Sequence, residues 1–250
     1  MKMSNNDLLR YSKQIILKQV GVLGQKKISS TKVLIVGVGG LGCPVALYLS
    51  NLGIRNIGIA DYDKVDFSNL NRQILFNTKD LGKLKVVQAK KFLQKINKKI
   101  KINSYKVKIV KKNIQNILSK YDIVCDCSDN FATRYLLNDF CLKNKKILIS
   151  AAISKFEAHI FNFDFSKKIP CYRCFMPEIP VEEYKCDTEG ILPTVAGIAG
   201  TLQANEVVKS ILNKKNDLVG KMIAFNTLSL NFRKITLTRS DDCVKDCNKR

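Results

Sequence analysis

The chain has 250 residues, 46% of them hydrophobic, which is enough for a sizeable core and is read as one continuous domain with an appended flap. A formal charge of +22 invites a nucleic-acid reading, but lysine supplies 35 of the 43 basic residues. These lysines are scattered among isoleucine and asparagine, as in Lys90 to Lys112, with no aromatic residues set to stack bases, so no nucleic-acid partner is expected.

The same positive field would draw in an acidic protein partner. No apolar run reaches the roughly 18 residues of a membrane span. The polar opening from Met1 to Gln14 shows no signal peptide, so the expected location is cytoplasmic. Nine cysteines, an odd number, argue for metal binding or reactive thiols over a disulfide framework.

Along the chain, Asp7 to Gln19 reads as an amphipathic helix carrying Arg10 and Lys13 on one face, with a solvated arm as the alternative. Val33 to Val36 reads as a buried strand and Leu41 to Leu52 as a helix. Between them Gly37, Gly39 and Gly42 are spaced G-x-G-x-x-G. Gly37 can take the angles of a tight turn, Gly39 lets a ligand approach the main chain, and Gly42 lets the helix lie close on the strand. The helix N-terminus then favours an anionic phosphate. A second strand, Ile57 to Ala60, ends at Asp61, about 20 positions past the turn, where an acidic residue meets a ribose hydroxyl.

The segment from Asp61 to Gln73 is too rich in Asn, Asp and Ser for a stable helix and reads as a functional loop over the nucleotide edge. Helices follow at Lys83 to Asn97, Asn113 to Lys120 and Ala132 to Leu142. Strands follow at Ile100 to Tyr105, Asp122 to Cys127 and Lys146 to Ala151. This alternation implies a parallel sheet covered on both faces, with ligands at the strands' carboxyl ends, where Asp61 and Asp129 fall. Beyond Ser150 the pattern changes. Glu157 to Phe165 reads as an antiparallel strand, Met176 to Pro193 as a turn-rich segment holding Cys186, and Ile191 to Leu212 as a long helix in which Gly197 and Gly200 permit close packing. Strands near Lys221 to Asn226 and Asn231 to Thr238 lead to a polar tail. His159, the only histidine, is expected to be structural.

Cys171-Tyr-Arg-Cys174 and the pair Cys243 and Cys247 suggest a four-thiolate zinc site, since spacings of about two to four residues are tolerated. Cys43, Cys125, Cys127 and Cys141 fall in core elements and are read as small hydrophobes. Cys186 lies in a polar stretch where nothing would bury its thiol. Arg72 and Lys85 add cations beyond what a dinucleotide pyrophosphate needs, which fits a triphosphate better.

The motifs Arg10-Tyr-Ser-Lys-Gln14, Gly37-Val-Gly-Gly-Leu-Gly42, Asp61-Tyr-Asp63, Ser68-Asn-Leu-Asn-Arg-Gln73, Lys85, Asp126-Cys-Ser-Asp-Asn130 and Cys171-Tyr-Arg-Cys174 together resemble the ThiF/MoeB/HesA adenylyltransferases, relatives of the ubiquitin-activating enzymes. The resemblance implies an α/β, Rossmann-like, mainly parallel sheet with helices on both faces, C-terminal antiparallel strands and a zinc-tied flap. It further implies a helical arm over 1–28, a nucleotide-binding part over 29–151, and a carrier-binding and zinc part over 152–250.

The implied activity is ATP- and magnesium-dependent adenylation of the C-terminal glycine of a small ubiquitin-like sulfur carrier, for molybdopterin or thiazole synthesis, by a homodimer working with a sulfurtransferase. Arg72 and Lys85 would hold the β and γ phosphates, with Gly37, Gly39, Gly40 and Gly42 lining the nucleotide. Ser68, Asn69, Asn71 and Asn130 would lie about it, Asn69 orienting the phosphate tail. Asp61 would bind ribose and Asp129 magnesium. Arg10 and Lys13 would reach the partner subunit's site, Lys13 more weakly because it lacks the planar fork of arginine. Cys186 would take part in sulfur transfer. No rhodanese-like segment is visible, so sulfur is expected from elsewhere. Two other readings are a nicotinamide-dependent oxidoreductase and a catalytically lapsed partner-binding module.

Overall fold

The computed structural model describes residues 3–178, 190–212, 216–240 and 243. Its centre is one eight-stranded sheet in the order β3-β2-β1-β4-β5-β6-β7-β8. The strands are β1 (Lys32–Val36), β2 (Asn56–Ala60), β3 (Lys101–Tyr105), β4 (Ile123–Asp126), β5 (Ile147–Ser154), β6 (Glu157–Asp164), β7 (Lys221–Asn226) and β8 (Asn231–Thr236). The strands from β3 through β5 run parallel, while β6, β7 and β8 are added antiparallel.

β1 is paired on both sides, Val33 standing level with Ile57 of β2 and Ile123 of β4. Such a strand must bury both faces, which is why Val33 to Val36 is apolar without alternation. Val33 and Ile35 enter the core against helices α4 (Gly42–Leu52), α5 (Lys85–Ile96) and α9 (Pro193–Ile211). Leu34 and Val36 enter the opposite core with α6 (Ile114–Leu118), α7 (Phe131–Lys143) and the short α8 (Tyr172–Phe175). On that second side Phe161, Phe163 and Phe165 of and after β6 form a stacked row, with ring centroids 5.5 Å apart. The chain runs outward from β1 through β2 to β3 and then crosses back to place β4 on the other side of β1, and the crevice at this switch point is where parallel sheets bind ligands.

The N-terminal arm differs from the expected single helix over Asp7 to Gln19. It consists of α1 (Asn5–Arg10) and α2 (Ser12–Ile15), followed by α3 (Gly21–Ser30). The break falls at Tyr11, with φ −101° and ψ 12°. Tyr11 turns inward, its ring against Gly53, and its hydroxyl accepts the Asn97 amide at 3.1 Å. Arg10 and Lys13 therefore belong to two helices. Asp7, whose side chain is only 4% exposed, ties α1 to the body through Arg55 at 2.8 Å and Lys99 at 2.9 Å.

In α9 the two glycines part company. A Cβ at Gly200 would lie 2.4 Å from Pro44 Cγ and 2.7 Å from the Leu41 carbonyl oxygen, so the close packing expected there is real. Around Gly197 nothing lies within 4 Å, and the same expectation fails because that position faces away from α4. Cys43, Cys125, Cys127 and Cys141 are buried, as their apolar settings require. Burial pushes the Cys43 thiol up to about 12.

Candidate active site

At the carboxyl ends of β1, β2 and β4 the chain encloses a cleft of about 770 Å³. The glycine turn forms its floor. Gly37 has φ +89°, and a Cβ there would meet the Cys127 carbonyl oxygen at 2.6 Å. A Cβ on Gly42 would lie 2.0 Å from the Gly37 carbonyl oxygen, which lets the first turn of α4 close over the end of β1. Gly39 faces open space, its nearest neighbour being Gln73 Nε2 at 3.8 Å, so the main chain is open to a ligand there. Gly37, Gly39 and Gly40 line the cleft, while Gly42 stands behind it.

Asp61 follows β2 directly. One carboxylate oxygen accepts the Val38 N–H at 2.7 Å and the other accepts the Asp63 N–H at 2.8 Å, so Asp61 fastens the glycine turn to the loop that follows. Burial raises its pKa against the lowering effect of those two hydrogen bonds. Beside it Tyr62 carries Lys108 over its ring at 5.7 Å, and Val107 and Ile109 add an apolar wall. This flat, partly apolar corner escaped sequence reading because residues 107–109 lie more than 40 positions from Tyr62; the short Val-Lys-Ile run past β3 was the only hint.

The polar loop after Asp61 runs across the cleft as expected, with one turn of 3-10 helix at Phe67–Asn69. The Arg72 guanidinium donates to the Ser68 carbonyl at 3.0 Å and to Asn71 Oδ1 at 3.2 Å, and the Gln73 amide donates to Asn69 Oδ1. Asn69, Arg72 and Gln73 line the cleft, while Ser68 and Asn71 brace them from outside. Lys85 opens α5, is buried, and pairs with its neighbour Asp63 at the cleft wall at 3.0 Å.

On the opposite wall Asp129 is exposed to the cleft and accepts the Asn130 amide at 3.2 Å, while Asn130 Oδ1 accepts the Thr133 N–H and caps α7. Behind this loop lies a buried network of unforeseen extent. Asp126 accepts from the Ser128 backbone and hydroxyl and from the Ser150 hydroxyl, and pairs with Arg134 at 3.3 Å. Gln203 of α9, fully buried, donates to the Asp126 and Ile149 carbonyls at 2.8 and 2.9 Å. α9 thus holds the Asp129 loop from beneath.

The cleft continues past the nucleotide half between β5, β6 and α8, where Phe156, His159, Phe161, Tyr172 and Phe175 form an aromatic wall. Arg10 and Lys13 do not line the cleft of their own chain; both are exposed, and Arg10 donates to the Ile96 carbonyl at 3.1 Å. Cys186 and Cys247 lie outside the described residues. Of the proposed zinc ligands, Cys171, Cys174 and Cys243 converge with their sulfurs within 4.8 Å of one another, 3.6 Å separating those of Cys171 and Cys243. Three soft donors at that spacing, one of them, Cys174, drawn toward thiolate by its contact with Cys171, suit a tetrahedral metal such as zinc. Among the described residues no helix is long and apolar enough to cross a membrane.

The pattern of the ThiF family matches residues 11–245. The chain is 42% identical over 246 residues to the adenylyltransferase and sulfurtransferase MOCS3 of Culex quinquefasciatus, covering 97% of this chain and 56% of that protein. Its counterpart in Dictyostelium discoideum is 41% identical over 248 residues, covering 98% and 58%. The chain therefore spans little more than half the length of the curated relatives it matches. Among solved structures, E. coli MccB with ATP superposes with a TM-score of 0.80 at 26% identity over 94% of this chain and 73% of that one. MccB with AMPCPP and MccA gives 0.81 at 26% identity over 96% and 73%. With a family pattern that runs from Tyr11 to Lys245, and relatives above 40% identity over nearly all of its length, the chain belongs to the ThiF family.

Proposed function

We propose that this chain uses ATP to adenylate the C-terminal glycine carboxylate of a small ubiquitin-like sulfur-carrier protein, in the synthesis of molybdopterin or of a related sulfur product such as thiazole. The observation that carries the reading is the gathering of the glycine turn, Arg72, Lys85 and Asp129 about one cleft in a chain 42% identical to a named adenylyltransferase. A bound nucleotide in the superposable MccB supports ATP as the substrate.

In this reading the base lies against Tyr62 and Val107, the ribose meets Asp61, and the phosphates lie over Gly39 and Gly40. Arg72 and Lys85 bind the β and γ phosphates, Lys85 exchanging part of its pairing with Asp63 for them. Asp129 would hold magnesium, which supplies charge neutralisation on the departing pyrophosphate. The carrier carboxylate attacks the α-phosphorus, the bond to the β-phosphate oxygen breaks, and pyrophosphate leaves. Such a step needs positioning and charge stabilisation more than acid-base chemistry. Cys171, Cys174, Cys243 and Cys247 would hold one zinc ion, a structural tie.

Arg10 and Lys13 would serve the cleft of a second copy in a homodimer. Cys186 would act with a sulfurtransferase in forming the thiocarboxylate. The test is ATP–pyrophosphate exchange with a carrier ending in Gly-Gly. Exchange should require both magnesium and the carrier. Arg72→Ala or Asp129→Ala should lower it by at least about two orders of magnitude, the scale of one lost electrostatic stabiliser, whereas Cys186→Ala should spare exchange and impair only sulfur transfer. Wild-type exchange in either of the first two variants would refute the assignment.

A further inference from the structure

His159 sits in β6 with two alanines as its cross-strand partners, Ala152 of β5 and Ala224 of β7. Small side chains on both sides leave the imidazole edge uncovered, and His159 lines the cleft in its acceptor half, beyond the glycine turn. Its ring is fixed from two directions, edge-on to Phe161 at 6.5 Å and to Phe175 at 6.0 Å. Among the described residues its imidazole makes no hydrogen bond, so one donor and one acceptor stand ready beside the Phe161 and Phe175 rings, in a part of the cleft that Arg134 and Glu157 also line. Burial in that wall lowers its pKa below the ordinary value and keeps the ring neutral, with both functions present at neutral pH.

A preformed imidazole with one donor and one acceptor matches an extended peptide, which presents an N–H and a C=O at each residue. Glycine residues at the end of such a peptide would pass the Phe161 and Phe175 rings without side chains to collide with them. We infer that His159 is a specificity-determining residue that hydrogen-bonds the main chain of the acyl substrate's C-terminal glycines as they enter the cleft. The inference rests on the adenylation reading above, and it replaces the purely structural part that sequence suggests for this histidine. The lapse of the wall's hydrogen-bonding capacity in any variant without a polar side chain here would leave the peptide held only by van der Waals contact.

Because this is the only histidine of the chain, a tag-free preparation gives a single imidazole signal by NMR. Titration with a synthetic peptide ending in Gly-Gly should move that signal saturably, and the same peptide ending in Leu-Leu should not. In the exchange assay His159→Leu should raise the KM for the carrier about tenfold, the scale of one lost hydrogen bond, while the KM for ATP changes less than about twofold. His159→Gln, which restores a donor and an acceptor, should recover most of the loss.

An imidazole signal indifferent to the Gly-Gly peptide, or a carrier KM unchanged in His159→Leu, would overturn the inference while exchange by the wild-type protein left the adenylation reading standing. An equal rise in both KM values would also overturn it, because that pattern marks general damage to the cleft. Absence of exchange with every carrier would instead count against the adenylation reading, and the peptide titration would still decide the role of His159.

Discussion

Asp7 shows how much a single side chain can do at long range. Burial would raise its carboxyl, but hydrogen bonds from Lys99 and Ser4 and the nearby Arg55 charge outweigh that and hold it at about 2, below the ordinary 3.8. A depressed carboxyl contributes stability that is present above the unfolded value and is lost as pH falls through the folded one. Asp7→Asn should therefore lower the melting temperature at pH 7, and the difference from wild type should shrink as pH falls from about 4 toward about 2. A constant difference across that range would show that the carboxylate charge is not what fastens α1. In sequence Asp7 is one acid in a polar stretch, because Arg55 and Lys99 lie 48 and 92 residues away. Asp61 and Asp129 were legible for the opposite reason, each following an apolar strand at the place where such sheets bind ligands.

At the scale of elements, periodicity found every strand of the sheet and the main covering helices, since a sheet buried on both faces leaves long apolar runs. Ends and breaks were less legible. The arm reads as one helix because nothing local marks Tyr11 as a residue that must turn toward Gly53 and Asn97. β5 runs on to Ser154, past the expected Ala151, because antiparallel pairing with β6 continues to Ser154 opposite Glu157. The two glycines of α9 give a sharp test.

Gly200→Ala drives a methyl group against Pro44 and the Leu41 carbonyl and should destabilise by about 1–3 kcal/mol. Gly197→Ala enters open space in a helix interior and should instead stabilise by roughly 0.5–1 kcal/mol. Chemical denaturation of both variants measures this, and equal effects would mean that the α9–α4 contact is looser than described. Since α9 also carries Gln203 beneath the Asp129 loop, Gly200→Ala should weaken exchange as well as stability.

For the molecule as a whole, Cys243 lies buried against Cys171, its neighbour across 72 residues of chain. If zinc occupies that cluster, binding free energy is also folding free energy, because the ligands converge only in the folded state. Elemental analysis should find one zinc per chain, and Cys243→Ser should lower both zinc content and melting temperature. Unchanged values would dismiss the metal tie. The paired cysteines were visible from spacing, yet their meeting with the tail depends on β7 and β8 bringing the chain back, which no local pattern reveals.

β8 ends the sheet with all six residues exposed and, among the described residues, only β7 as a strand partner, so one row of its backbone N–H and C=O groups is left outward. Such an edge is a template on which any extended chain can crystallise into a growing sheet. Arg233 and Lys234 stand on that strand, within a molecule carrying +22 charges, and copies approaching edge to edge repel one another. Colloidal stability then becomes a matter of ionic strength, because in about 1 M salt the repulsion reaches only about 3 Å. The positive charge that resembles a polyanion-binding surface should therefore also work, at this edge, against aggregation.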